Sequence, residues 1–410
     1  MSPISPSRVS ITEVLLTAII VASGATLHAA ATISADADIG PIRAGAERGS
    51  VEKEIELGAA YATGHGVALD KQLAAYWYGK AAGAGDPAAE NQIGYFYQVG
   101  FGVPVDLVRA VHWYQLAAAE GFTGAKVNLG VSYIWGLGVT KNEKMAAQLF
   151  REAASKGSGT GACYLGDMYY FGVGVDQDKS AAEHWYLAGR KLHDPRAEFS
   201  LGVLYLTNGK DARNLRKAAD SFRESVRAGF VPAMHALGKL LVENPDLSNS
   251  PEEGMTLLTN SANAGTWKSS AVLGILARDG KGREVNYEAA YYQFKVAALQ
   301  GGEVARKLLE SDLSALSAKL GAEKAGSIDA QAESWSRLHH PALEFVTSAV
   351  KNEKRLPPFS LAEPEDGSHA GLLIPTRSVG ADQTGQSIRI GSLPNSGERE
   401  DPLAKSLLEE

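Results

Sequence analysis

The sequence predicts an all-α solenoid of about seven helix–turn–helix repeats, each 36 residues long. Three observations carry this. A large aliphatic residue recurs at that spacing: Leu57, Ile93, Leu129, Leu165, Leu201, Leu237 and Leu273. Each is followed by a glycine, Gly58 through Gly274. A residue able to cap a helix stands thirteen positions after each aliphatic: Asp70, Asp106, Asn142, Asp178, Asn214, Ser250 and Asn286.

The first helix of each repeat carries the aliphatic position and, four residues on, Tyr61, Tyr97, Tyr133, Tyr169 and Tyr205, then Leu241 and Ala277. Residues four apart share a helix face, so this pair predicts the core stripe. The glycine beside it costs about 1 kcal/mol against alanine inside a helix, so it needs a packing reason. Ala74, Ala110, Ala146, Ala182, Ala218, Gly254 and Ala290 recur seventeen positions after the aliphatic and offer a small surface for close helix approach.

The second helix begins after the capping residue. Ser250 is followed by Pro251, favoured at a first helical position. This helix brings Trp77, Trp113 and Trp185, with Tyr78, Tyr114, Phe150, Tyr186, Phe222 and Phe294. It ends at Gly85, Gly121, Gly157, Gly229, Gly265 and Gly301, suited to a left-handed cap; His193, before Asp194-Pro195, takes that place in repeat four. One hairpin cannot bury its stripe alone, and stacked copies bury it for one another.

The pattern Leu57-Gly58, Tyr61, Gly64, Gly66-Val67, Asp70, Ala74, Trp77-Tyr78, Ala81-Ala82 and Gly85 resembles the Sel1-like repeat family, a branch of the tetratricopeptide-like solenoids. Repeats one to four match strongly, apart from the end of repeat four. Repeats five to seven depart in the turn, at Asn208 and Lys210, Asn244 and Asp246, and Gly280 and Gly282 before Arg283. The resemblance spans roughly residues 43–320 and implies a right-handed α-solenoid. It also implies an adaptor or regulator in signalling, envelope assembly or host interaction.

Flanking segments complete the expected organisation. Arg8 precedes an apolar run, Val14 to Ala25, with small residues at Ala29, Ala30 and Ala31. This reads as an export signal over residues 1–31, with cleavage after Ala37 as the alternative. An uncleaved short anchor is the other reading, though the run is short for a bilayer. Upstream of the repeats, Gly49 falls in register with Gly85. Residues 321–350, with Trp335, read as capping helices, and the Pro-, Gly- and charge-rich stretch 351–410 as a disordered tail. The mature chain would then be periplasmic or secreted, with a cytoplasmic location as the alternative, and without a membrane span.

Composition narrows the function classes. The formal charge is −7 and basic residues form no long patch, which argues against nucleic acid. The single cysteine, Cys163, excludes an internal disulfide and reads as a buried small residue. "GHGV", "GFGV", "GLGV" and "GVGV" are preceded by a helix rather than a strand and recur with the repeat, so they read as turns and not as phosphate loops. His112 and His184 occupy equivalent helix positions, and His339-His340 lacks metal-ligand partners at suitable spacing. The reading therefore contains no catalytic residue, metal or cofactor.

Recognition is expected where repeats diverge. Positions two, five and six of the first helices point away from the predicted stripe: Tyr95, Gln98 and Val99, then Val131, Ile134 and Trp135, then Asp167, Tyr170 and Phe171. A solvent face should be polar, and this one is largely apolar and aromatic. The expectation is a concave surface holding a protein partner, with Tyr95, Ile134, Trp135, Tyr170 and Phe171 as contacts and Gln98 and Asp167 setting orientation. A carbohydrate-associated or exopolysaccharide-assembly scaffold is the alternative. A hydrolase is disfavoured because no catalytic constellation appears.

Overall fold

The structure is a computed structural model that describes residues 39–338, apart from Lys210, Gly282 and Arg283. The expected signal and tail lie outside the described residues. The chain divides at Ala197/Glu198 into two compact units. Among the described residues these are 39–197 and 198–338, and each is taken by itself.

The first unit opens with a short helix, α1 (Gly40–Glu47), where the sequence lacked a full pair. Four pairs follow: α2 (Val51–Thr63) with α3 (Lys71–Gly83), α4 (Pro87–Val99) with α5 (Leu107–Ala119), α6 (Thr123–Trp135) with α7 (Glu143–Ser155), and α8 (Gly159–Phe171) with α9 (Lys179–Lys191). The start of α10 (Pro195–Asn208) closes this unit. The second unit continues with α11 (Ala212–Arg227), α12 (Val231–Glu243), α13 (Glu253–Asn263), α14 (Trp267–Asp279), α15 (Tyr287–Gln300), α16 (Gly302–Leu320) and α17 (Ala322–Leu338). The last two, α16 and α17, follow the final repeat pair.

Capping follows the sequence in most repeats. Asp70 and Asp106 each accept a backbone N–H at 2.9 Å, and Asn142 and Asn286 do the same at 3.0 and 2.9 Å. Two repeats differ. Asp211, not Asn214, caps α11, because an acceptor three residues earlier lets the helix gain a turn. Ser250 and Pro251 lie outside α13, which starts at Glu253. There the Glu253 carboxylate folds back to accept from the Asn249 N–H and the Ser248 hydroxyl, holding a longer turn. His193 takes the left-handed conformation (φ 58°) in place of glycine, whereas Gly301 does not (φ −87°) and Gly302 does (φ 63°).

The repeating glycine meets the expected small residue at Gly238, where a Cβ would stand 3.0 Å from the Gly254 carbonyl oxygen, but in other repeats it packs against a different group. A Cβ at Gly130 would stand 2.6 Å from the Phe150 ring, and one at Gly166 2.5 Å from the Tyr186 ring. The close approach is therefore to the second helix's aromatic ring, not to the small residue at Ala146 or Ala182. Those alanines are fully buried.

The core stripe is also wider than predicted. In the first unit each first helix is wedged between the second helix of its own repeat and that of the repeat before. Phe96 of α4 meets Tyr78 of α3 edge-on at 5.4 Å, while Tyr114 of α5 reaches Gln98 from the other side. Tyr164 of α8 stacks on Phe150 of α7 at 4.7 Å. Two neighbours bury two faces, so the position-four tyrosines end up half-buried at an edge. There Arg43 donates to the Tyr61 hydroxyl, Arg151 donates to that of Tyr169, and Arg109 lies over the Tyr97 ring.

Candidate partner-binding surface

The wedged geometry decides which predicted contacts face solvent. Gln98, Val99, Val131 and Ile134 are buried, and Asp167 is fully buried. The expectation that Gln98 and Asp167 are free to orient a partner is corrected. Tyr114 donates to Gln98 Oε1 at 2.7 Å, and Tyr186 donates to Asp167 Oδ1 at 2.8 Å. Both polar groups serve the joint between two helices of one repeat. Ile134, expected as a contact, instead joins the core cluster of Val127, Val131, Phe150, Tyr164 and Met168.

Four predicted residues retain surface: Tyr95, Trp135, Tyr170 and Phe171, all half-buried. Three of them, Trp135, Tyr170 and Phe171, belong to the last turn of a first helix, where the chain leaves for the glycine turn. The Tyr170 and Phe171 rings meet edge to face at 4.7 Å, and Gln177 donates to the Tyr170 carbonyl at 2.8 Å, tying the turn to the helix. Trp135 leans on the core cluster around Tyr164 and Met168. It is half anchor and half surface.

The glycine turn sets the position of this rim. Gly102 has φ 71°, and a Cβ there would fall 1.9 Å from the Lys71 carbonyl oxygen. The turn of one repeat thus lies directly on the first turn of the preceding repeat's second helix. Phe101 is buried beneath it, with the Lys71 ammonium 5.3 Å from its ring centroid.

A further apolar stretch escaped the sequence reading. Leu73 and Tyr76 on α3 and Val108 and Leu116 on α5 are exposed, Val108 at 66%. Their positions do not repeat among the copies, and that divergence was the available signal.

Nothing here assembles a metal site or an activated nucleophile among the described residues. No three His, Cys, Asp or Glu side chains converge as metal ligands. Cys163 is buried, and desolvation pushes its thiol well above the usual range. His112 and His184 sit exposed on their helices; His339 and His340 lie outside the described residues. A cleft of about 310 Å³ beside the start of α15 is lined by polar groups, with Lys324 paired to Glu288 at 3.0 Å.

Paired helices whose glycine turns stack on the preceding copy define a helical-repeat scaffold. Residues 54–86, 87–122, 124–158, 160–192 and 269–302 match the Sel1 repeat family, so the chain carries five Sel1 repeats. Such repeats are generally scaffolds for protein–protein interaction. The chain is similar to several solved structures. One is a Sel1 repeat protein from Oxalobacter formigenes, 29% identical, with 52% of this chain and 88% of that chain covered and a TM-score of 0.49. Another is a protective antigen present in uropathogenic Escherichia coli strains displaying an SLR fold, at 22%, 77%, 82% and 0.37 respectively. A third is an immunity protein from Pseudomonas aeruginosa, at 19%, 52%, 80% and 0.35. No curated protein matches. Among the described residues no helix is long and apolar enough to cross a membrane.

Proposed function

We propose that this chain is a non-catalytic adaptor or regulator of the bacterial cell envelope. It captures a protein partner at the aromatic rim formed by the last turns of α6 and α8. One observation carries the reading: Trp135, Tyr170 and Phe171 are large rings left half-exposed at the end of otherwise buried helices. Aromatic rings with one side packed and one side open are typical binding anchors, because little side-chain entropy is lost when a partner covers them. Tyr95 extends the rim to repeat two. Export rests on the apolar Val14–Ala25 run, which an intact-mass measurement of the protein from its native cell tests directly. A mature mass beginning near residues 30–38 supports export, and a full-length mass contradicts it.

Site-specific photocrosslinking in the native cell tests the rim. A photoreactive side chain at Phe171 is expected to give a discrete adduct, and the same group at the exposed Tyr76 or Leu116 is not. Adducts confined to Tyr76 and Leu116 would move recognition to the outer helices.

A further inference from the structure

We propose that Asp167, Asp194 and Arg196 form a buried proton switch in repeat four, in which Asp167 holds a proton in the folded state and releases it as the surroundings turn alkaline. The geometry carries this. All three side chains are buried, Arg196 at 1% and Asp167 at 0% exposure, so two carboxyl groups share the interior with one guanidinium. Their formal charges sum to −1, and an excess buried charge is relieved most simply by taking up a proton.

The hydrogen bonds select which carboxyl takes it. Asp194 accepts twice, from the Arg196 backbone N–H at 2.9 Å and from the Thr160 hydroxyl at 2.8 Å. Both of its oxygens are therefore supplied with donors. Asp167 accepts from Tyr186 through Oδ1 only. Its Oδ2 has no hydrogen-bond donor among the described residues, and the Arg196 Nη1 stands 3.6 Å away, beyond hydrogen-bonding range.

The groups facing Asp167 come from each surrounding element. Tyr186 comes from α9, Cys163 and Tyr164 from its own helix, and Asp194 and Arg196 from the chain entering α10. The Arg196 guanidinium carbon lies 4.3 Å from the Tyr164 ring centroid. Burial pushes the Asp167 carboxyl up to about 7, opposed by Arg196 and by the Tyr186 bond, with Asp194 adding to the rise. An unfolded aspartate titrates near about 3.9. Between those values the folded state holds a proton that the unfolded state lacks, so stability falls as pH rises through the window. Tyr170 and Phe171 lie three and four residues further along α8, so the charge state of Asp167 acts on the helix that ends in the rim.

The test compares the full chain with its Asp167→Asn variant, unfolded in urea at pH values from 5 to 8. Hydrogen exchange of α8 and α9 peptides reports the opening. Asparagine keeps an oxygen for Tyr186 and carries no charge. The ratio of wild-type to variant unfolding constants is expected to rise roughly tenfold per pH unit between about pH 5 and 6.5. A ratio independent of pH, with the variant weaker throughout, would identify a fixed ion pair and overturn the switch. So would failure of the variant to fold at pH 5.5, where asparagine should mimic the native side chain best. Infrared difference spectra of the wild type give an independent reading. A protonated-carboxyl band present at pH 6, lost by pH 8 and absent from the variant supports the switch. A band that persists in the variant, or none in the wild type, contradicts it.

Discussion

Gly130 and Gly121 show how two glycines of one repeat array answer to different physics. Gly130 lies in α6 under the Phe150 ring, so any side chain there meets an aromatic carbon 2.6 Å away. Gly121 ends α5 with φ 86°, and nothing stands within 4 Å of where a Cβ would be. Gly130→Ala is therefore an overpacking change, expected to cost about 1–3 kcal/mol. Gly121→Ala meets only the left-handed backbone penalty, about 1–2 kcal/mol. Gly130→Leu and Gly121→Leu should separate further, since only the first enlarges the clash. Denaturant midpoints of the four variants check this; equal losses for the two leucine variants would contradict the ring-on-glycine packing. The recurrence of the glycine was legible in the sequence. Its true neighbour was not, because a period gives register along the chain and says nothing of which ring lies across the interface. Asp167 was misread for the same reason. Its helix position pointed away from one stripe, but Tyr186 from the second helix of its own repeat and Arg196 at the start of α10 cover that second face.

At the scale of the element, helix starts were the most legible feature, since a cap is a local interaction between a side chain and an amide three residues on. Asp70, Asp106, Asn142, Asp178 and Asn286 begin helices as their spacing requires. The exceptions arise where a competing acceptor is present. Asp211 sits three residues before Asn214 and takes both first-turn amides of α11. Asp211→Ala is expected to cost about 1 kcal/mol and Asn214→Ala clearly less. Thermal or urea unfolding of the pair measures it, and the reverse order would return the cap to the repeat register. The aromatic rim belongs to this scale as well. Its divergence from copy to copy was visible in the sequence, and its restriction to the last turn depends on the wedging of first helices between second helices.

For the molecule as a whole, the two compact units are expected to answer pH in opposite directions. In residues 198–338, His235 is hydrogen-bonded with Ser269 at 2.8 Å, and Ser269 donates to Ser261. Desolvation, with a smaller contribution from Lys239, lowers the imidazole to about 4. The unfolded histidine titrates near about 6.5, so this contribution is complete above that value and is lost as pH falls toward 4. Acid titration of the wild type and of His235→Gln, followed by exchange of α12 and α14, should show a steeper loss in the wild type. Parallel curves would exclude a role for His235.

A scaffold built from mutually buried repeats is expected to recognise its partner with the rings its packing leaves half-open. The most direct measurement is the double change Tyr170→Ala and Phe171→Ala, scored together for fold and for capture. These two rings touch each other, and Trp135 is left in place because it also supports the core. The expected result is an unchanged helical circular dichroism spectrum, a melting temperature within a few degrees of wild type, and loss of the partner adduct from a photoreactive group at Tyr95. A folded variant that still forms that adduct at wild-type yield would contradict the account, and so would a variant that unfolds, since the rings would then be core.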